Sequence, residues 1–501
     1  MQHIIKDNTT ILISILLLVI GVLFPLRMVA LAITAIFFVI GLLRPKQAML
    51  LLVVYIPIRP LLTTYQDALK GVSDAMIFGA LISVIIIYIL NGNWKKLFHF
   101  RLFEWAFFAY LVVGAISALL TGIEPVAIIF QFRAFLLLYL IYYIVVRLEI
   151  TREDVKKFLW LTFGMMILLI IQGLAEKISA REWLMPLEWQ ETELNHRNRL
   201  RIYGLINNPN QLAIYMVFAF ITTMYLRRFI KENLRWLIDL SLVFAAGIFF
   251  LTDSKGMLLI TAALVLIYVI MVRNWRKILN LGLILVIAQL LVVEPVQFVS
   301  TQPDFGWETI QLLFSEDGIN QLRERESENE NSVSQPGGSL SEIVRQEGGV
   351  GSSADRSANS GRLMFIRGAF DNLMQHPLIG TGFGTYGDSA TKAYGSPIAE
   401  EYGFKEDFYS DGQYTQVIAQ TGVIGVLLFA IFLIGMLYLV WKQRDSHPFT
   451  QLGILIVLFS WSGGAIYNIW EMDVFPLFFF VLFGFIMGQR DFDTYLPRES
   501  E

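Results

Sequence analysis

The chain has 501 residues, 55% of them hydrophobic and only 16% charged, with a formal net charge of −3 and no cysteine. A soluble protein of this length would not tolerate that balance, and the absence of cysteine excludes disulfides, thiolate chemistry and cysteine metal sites. The near-zero net charge argues neither for nor against nucleic acid, and no nucleic-acid partner is expected.

Apolar runs long enough to cross a hydrocarbon core of ~30 Å recur along the chain. They fall at 11–24, 29–43, 48–62, 74–90, 103–120, 126–146, 158–175, 209–226, 236–252, 256–272, 278–293, 414–440, 450–468 and 472–488. The expected fold is an all-α polytopic membrane protein with about fourteen helices by hydropathy. Pro57 and Pro60 weigh against the third run. The first run lacks a small-residue cleavage site and is followed at once by a second, so it reads as a retained helix rather than a signal peptide.

Lysine and arginine cluster in alternate short loops: Arg44 and Lys46, then Lys95, Lys96 and Arg101, then Arg147, Arg152, Lys156 and Lys157, and so on to Lys442, Arg444 and Arg490. By the positive-inside rule both termini are cytoplasmic. The expected domains are residues 1–293, helices one to eleven with an outer loop at 176–208; residues 294–413, a large outer loop; and residues 414–501, the last three helices and a cytoplasmic tail.

The 176–208 loop ends in Arg197, Arg199 and Arg201. It reads either as a surface-lying segment on lipid headgroups or as an anion site facing the larger loop. Within that larger loop, residues 321–360 are rich in Ser, Glu, Asn and Gly and lack the apolar side chains that would offset ordering entropy, so disorder is predicted. From a Ser360 cap a helix is predicted to Gln375, ended by His376-Pro377. Its apolar stripe is Leu363, Ile366, Phe370 and Leu373, flanked by Arg362 and Arg367. The pattern suits a helix resting on a membrane with guanidiniums at phosphate height; ordinary snorkelling is the bland alternative. The glycines of Gly380–Gly387 have no βαβ unit around them, so they read as a tight turn and not as a nucleotide loop.

Four patterns at outer helix ends carry a resemblance. Asn208-Pro-Asn210-Gln-Leu-Ala213 resembles an N-x-N-x-x-A helix start, and Ser254-Lys255-Gly256 an S-R-G turn. Gly361-Arg362 with His376 to Gly384 resembles a G-R helix followed by H-P-L-x-G-x-G-x-G. Asp411-Gly-Gln-Tyr414-Thr-Gln416 with Gly422-x-x-Gly425 resembles H-N-x-Y-L-Q…G-x-x-G. Together, and in this order, they are similar to the O-antigen ligase and polymerase superfamily of membrane glycosyltransferases (the Wzy/WaaL type), over about the second half of the chain. Asp411-Gly412 stands where that family often has His-Asn, and Lys255 where it often has Arg, which keeps the charge and loses the bidentate fork.

The resemblance implies a GT-C-like enzyme of the bacterial cytoplasmic membrane. It would polymerise polyprenyl-diphosphate-linked oligosaccharides, such as those on undecaprenyl diphosphate, into a wall or capsular polysaccharide. Arg362 and Asp411 are the catalytic candidates, the cation stabilising the leaving diphosphate and the carboxylate taking the acceptor's proton. Lys255, Arg201, Arg367, Asn210 and Tyr414 are substrate-binding candidates. Arg133 joins them as an intramembrane charge that faces either the lipid-diphosphate cavity or a carboxylate partner. Asp411 can equally be a helix cap. Glu400, Glu401, Glu406 and Asp407 read as a solvated acidic face, and Glu471 and Asp473 as exposed at an outer hairpin. No metal and no cofactor is expected; membrane lipids, a flippase and a chain-length regulator are the expected partners. A ligase acting on another acceptor shares every motif. A lipid-linked oligosaccharide flippase would need midplane charge, and a wall-binding receptor would not need the Arg and Lys positions.

Overall fold

A computed structural model describes residues 2–194, 196–272, 275–300, 362–443 and 449–488. The segment at 321–360, the Ser360 cap and Gly361 lie outside these residues, as does the Arg197 side chain. Among the described residues the chain is helical and forms no strand.

In chain order the main helices are α1 (Gln2–Leu23), α2 (Arg27–Leu43), α3 (Pro45–Tyr65), α4 (Val72–Leu90), α5 (Leu102–Leu120), α6 (Pro125–Arg147) and α7 (Arg152–Ile178). Then follow α8 (Pro209–Leu226), α9 (Arg235–Leu251), α10 (Lys255–Val272), α11 (Trp275–Ala288), α12 (Arg362–Gln375), α13 (Gln413–Lys442), α14 (Thr450–Ile466) and α15 (Val474–Gly488). Nine described helices are long and apolar enough to cross a membrane, and five shorter apolar helices accompany them. This is an integral, polytopic membrane protein. The third apolar run is one continuous helix despite Pro57 and Pro60.

Close packing comes from small residues where two backbones meet, as expected when lipid offers no hydrophobic drive between helices. A Cβ on Gly41 would sit 2.6 Å from the Met76 carbonyl, and one on Gly79 would sit 2.3 Å from the Phe38 carbonyl, so α2 and α4 touch backbone to backbone. Elsewhere aromatic rings fill the space. Phe103 and Phe107 of α5, Tyr139 and Tyr142 of α6, Phe432 of α13 and Phe483 of α15 form one buried cluster.

The helix α13 is broken at Gly422 (φ 57°, ψ −162°). A broken membrane helix frees backbone groups that must find partners inside the protein. Here the 377–382 turn supplies them. Thr381 and Gly382 N–H donate to the Ala419 and Gln420 carbonyls (3.1 and 2.8 Å), while Val423 and Ile424 N–H donate to the Pro377 and Leu378 carbonyls (2.9 and 3.1 Å). Gly382 (φ +93°) is obligatory, because a Cβ there would lie 1.9 Å from the Ala118 nitrogen. The H-P-L-I-G-T-G-F-G and G-V-I-G segments are therefore two halves of one joint, with Phe383 buried against Tyr110 and Phe135.

Candidate active site

Arg201, Asn210 and Ser254 are brought together by a loop with a buried anchor. The Glu176 carboxylate, at the end of α7, pairs with Arg181 (2.8 Å) and accepts from the Tyr203 and Gly204 N–H groups. That draws the far end of the 176–208 loop back onto the helix that starts it. Arg201 then donates from Nε to the Thr252 carbonyl and from Nη2 to Asn210 Oδ1, both at 2.8 Å. Asn210 Oδ1 also accepts from Ser254 Oγ (2.8 Å). Asn208 caps α8, its side chain accepting from the Asn210 and Gln211 N–H groups. The N-x-N and S-K-G patterns are thus one hydrogen-bonded unit, with Lys255 exposed beside it.

The helix α12 ends at Gln375, as its pattern predicts. It buries Gly368, Ala369 and Asn372 and leaves Leu363, Ile366 and Phe370 exposed, so the apolar stripe faces away from the protein. Arg362, at its start, donates from Nε and Nη2 to Asp411 Oδ2 at 3.3 and 3.2 Å. Both side chains are about half exposed, 49% and 48%. Gly412, not Asp411, precedes the first turn of α13 and that turn has no side-chain cap, so the capping alternative for Asp411 does not hold.

Three candidates are placed elsewhere. Arg367 is exposed on α12, about 140° around the helix from Arg362 at 100° per residue, and makes no ion pair among the described residues. Tyr414 turns inward, its hydroxyl donating to the Trp461 carbonyl (2.7 Å) with its ring against Gly464. Arg133 pairs with Asp74 at the rim of an apolar groove of about 440 Å³ between α4, α5 and α6. The carboxylate partner is realised there.

Composition and motifs missed several residues. The largest omission is Tyr467, after α14. Its hydroxyl lies 3.0 Å from Ser254 Oγ, and the Arg362 guanidinium lies 5.6 Å from its ring centroid. It is 3% exposed. Tyr467 joins the Asn210–Ser254 unit to the Arg362–Asp411 pair. The only sequence signal was a polar Tyr467-Asn468 step at an outer helix end.

Glu471 and Asp473 need correcting, because neither is a free surface group. Glu471 is half-buried and accepts from Ser389 N–H and Oγ (2.9 and 2.6 Å) and from Gln131 Nε2 (2.7 Å). Asp473 is ion-paired with Arg59. Asp388, fully buried, accepts from Gly384 and Thr391 N–H, Thr391 Oγ1 and Gln420 Nε2. Burial holds the Asp388 carboxyl above its usual range; burial and then the Asp388 charge do the same to Glu471. This acid pair fastens the glycine turn to α6 and to the hairpin after α14. Glu400, Glu401, Glu406 and Asp407 are exposed. Among the described residues no three His, Asp or Glu side chains are disposed to hold a metal ion.

Residues 240–430 match a family model described as O-antigen ligase. Over that stretch the chain is similar to the O-antigen ligase family. The matched stretch includes Ser254, Lys255, Arg362, the glycine turn and Asp411. Asn210 and Tyr467 complete the same cluster from outside it. No curated protein matches the chain.

Proposed function

We propose that the protein is a membrane glycosyltransferase that polymerises polyprenyl-diphosphate-linked oligosaccharides on the outer face of a bacterial cytoplasmic membrane. A hydroxyl of one glycan attacks the anomeric carbon of another. The bond from that carbon to the diphosphate oxygen breaks, and the lipid diphosphate departs with the electron pair. Asp411 takes the proton of the attacking hydroxyl, an effect worth roughly 10²–10⁴ in rate. Arg362, Lys255 and Arg201 face the charge that grows on the leaving group, so their contribution is larger in the transition state than in the ground state.

The observation that carries this reading is the Arg362–Asp411 pair. A half-exposed ion pair adds only about 0–1 kcal/mol to stability, so its value lies in what it presents. Both bonds land on Asp411 Oδ2. An acceptor hydroxyl that engages the carboxylate loosens the guanidinium, which is then available to the diphosphate. Asp411 does here the work for which relatives often carry histidine.

The deciding experiment supplies purified protein in lipid with a synthetic polyprenyl-diphosphate oligosaccharide. Longer lipid-linked glycans, lost in Asp411→Ala and Arg362→Ala while folding is retained, are the expected result. Glycan moved only to a different acceptor makes the protein a ligase. Labelled substrate that crosses the bilayer without transfer overturns the reading in favour of a flippase.

A further inference from the structure

We propose that Tyr467 is a positioning residue that holds the Arg362 guanidinium toward the lipid diphosphate; the inference rests on the glycosyl-transfer reading above. Donor counting fixes the polarity of its contacts. Arginine has no acceptor, so the atom Asn210 turns to Arg201 is its oxygen, Oδ1. Ser254 Oγ, bonded to the same oxygen, must therefore donate its one hydrogen there. The Tyr467 hydroxyl is left to donate to Ser254 Oγ across 3.0 Å. Hydroxyl, hydroxyl and amide form a directed chain that ends where Arg201 is held.

The tyrosine cannot shift within this chain. Its carbonyl accepts the Gln413 N–H (3.1 Å), two residues after Asp411, and the next side chain, Asn468, donates to the Ser410 carbonyl (2.6 Å). Across from the hydroxyl, a Cβ on Gly256 would come within 2.4 Å of it, so the glycine of the S-K-G turn makes room for this ring. Arg362 thus has two partners, the Asp411 carboxylate at its Nε–Nη2 edge and the Tyr467 ring, whose centroid lies 5.6 Å from the guanidinium carbon. When Asp411 turns to the acceptor hydroxyl, the ring still keeps the guanidinium from swinging into water. A cation over an aromatic face is attracted by the ring quadrupole, and replacing the ring by an aliphatic side chain is expected to weaken diphosphate binding roughly five-fold.

The test measures binding of sugar-free polyprenyl diphosphate to full-length protein in nanodiscs. Tyr467→Leu weakens binding in the wild-type background and adds nothing in the Arg362→Ala background. Equal weakening in both backgrounds, or none in either, overturns the proposal. Should Tyr467→Leu fail to fold, phenylalanine and pentafluorophenylalanine at position 467 replace it. They have nearly the same shape and opposite ring faces, so the fluorinated ring binds more weakly; equal affinities overturn the proposal. A wild type that binds polyprenyl diphosphate but transfers no glycan sinks the glycosyl-transfer reading while these comparisons still report on Tyr467. A wild type that does not bind it overturns both.

Discussion

Arg362 and Asp411 stand 49 residues apart in sequence and meet side chain to side chain, with both guanidinium bonds on one carboxylate oxygen. Asp411→Asn keeps the shape and removes the base. Its initial rate of glycan transfer is expected to fall by roughly 10²–10⁴, with thermal stability changed by no more than about 1 kcal/mol because the pair is half exposed. A normal rate for the asparagine variant would remove Asp411 from the chemistry.

Asn210 Oδ1 serves two donors, Arg201 Nη2 and Ser254 Oγ. Asn210→Ala removes this shared acceptor and leaves Arg201 with its Nε bond to the Thr252 carbonyl but without the bond that orients Nη2. An interaction of this charged kind is worth about 1.5–3 kcal/mol, so KM for the lipid-linked donor should rise about ten-fold or more. Ser254→Ala removes only neutral hydrogen bonds, the one it donates to Asn210 and the one it accepts from the Tyr467 hydroxyl, and should cost less. Steady-state kinetics on the two variants decides the order.

Two glycines with positive φ should behave very differently. At Gly403 (φ +67°) nothing lies within 4 Å of an added Cβ, so Gly403→Ala pays only the left-handed strain, about 1–2 kcal/mol. Gly382→Ala adds a clash with the α5 backbone at Ala118 and should abolish folded protein. Size-exclusion profiles of the detergent-solubilised variants read the difference directly.

Glu471 gives stability a pH dependence of definite sign. Burial and the Asp388 carboxylate raise it from the ordinary value of 4.5 to about 8. Its folded form holds the proton more tightly than the unfolded form, so the stabilising contribution is complete below about 4.5 and is lost as pH rises to about 8. Glu471→Gln should flatten the thermal-unfolding profile across that window. Exchange of one well-made hydrogen bond to Gln131 costs it about 1 kcal/mol at low pH. An unchanged slope would show that another group controls the window.

Apolar runs were legible because the length and composition of a bilayer-crossing helix are local properties. Even the third run, interrupted by Pro57 and Pro60, closes as a single helix. The end of α12 at Gln375 was equally local, set by His376-Pro377 and by the turn that follows. Arg362, Asp411, Asn210 and Ser254 could be singled out because motif order survives in the chain.

Which of these residues touch was not legible. Tyr414 and Tyr467 look alike as tyrosines at outer helix ends, yet one turns into α14 and the other joins two motifs. Glu471 looked like a surface acid until the glycine turn closed over it and brought Ser389 to its carboxylate. The amino-acid sequence by itself determined a polytopic helical membrane protein and the motifs that cluster at its helix ends, because hydropathy and short patterns act over a few residues. Only the tertiary structure decided the partners. Polar groups in a low-dielectric setting must be paired, and the pairing depends on which distant helix ends the packing brings within about 3 Å.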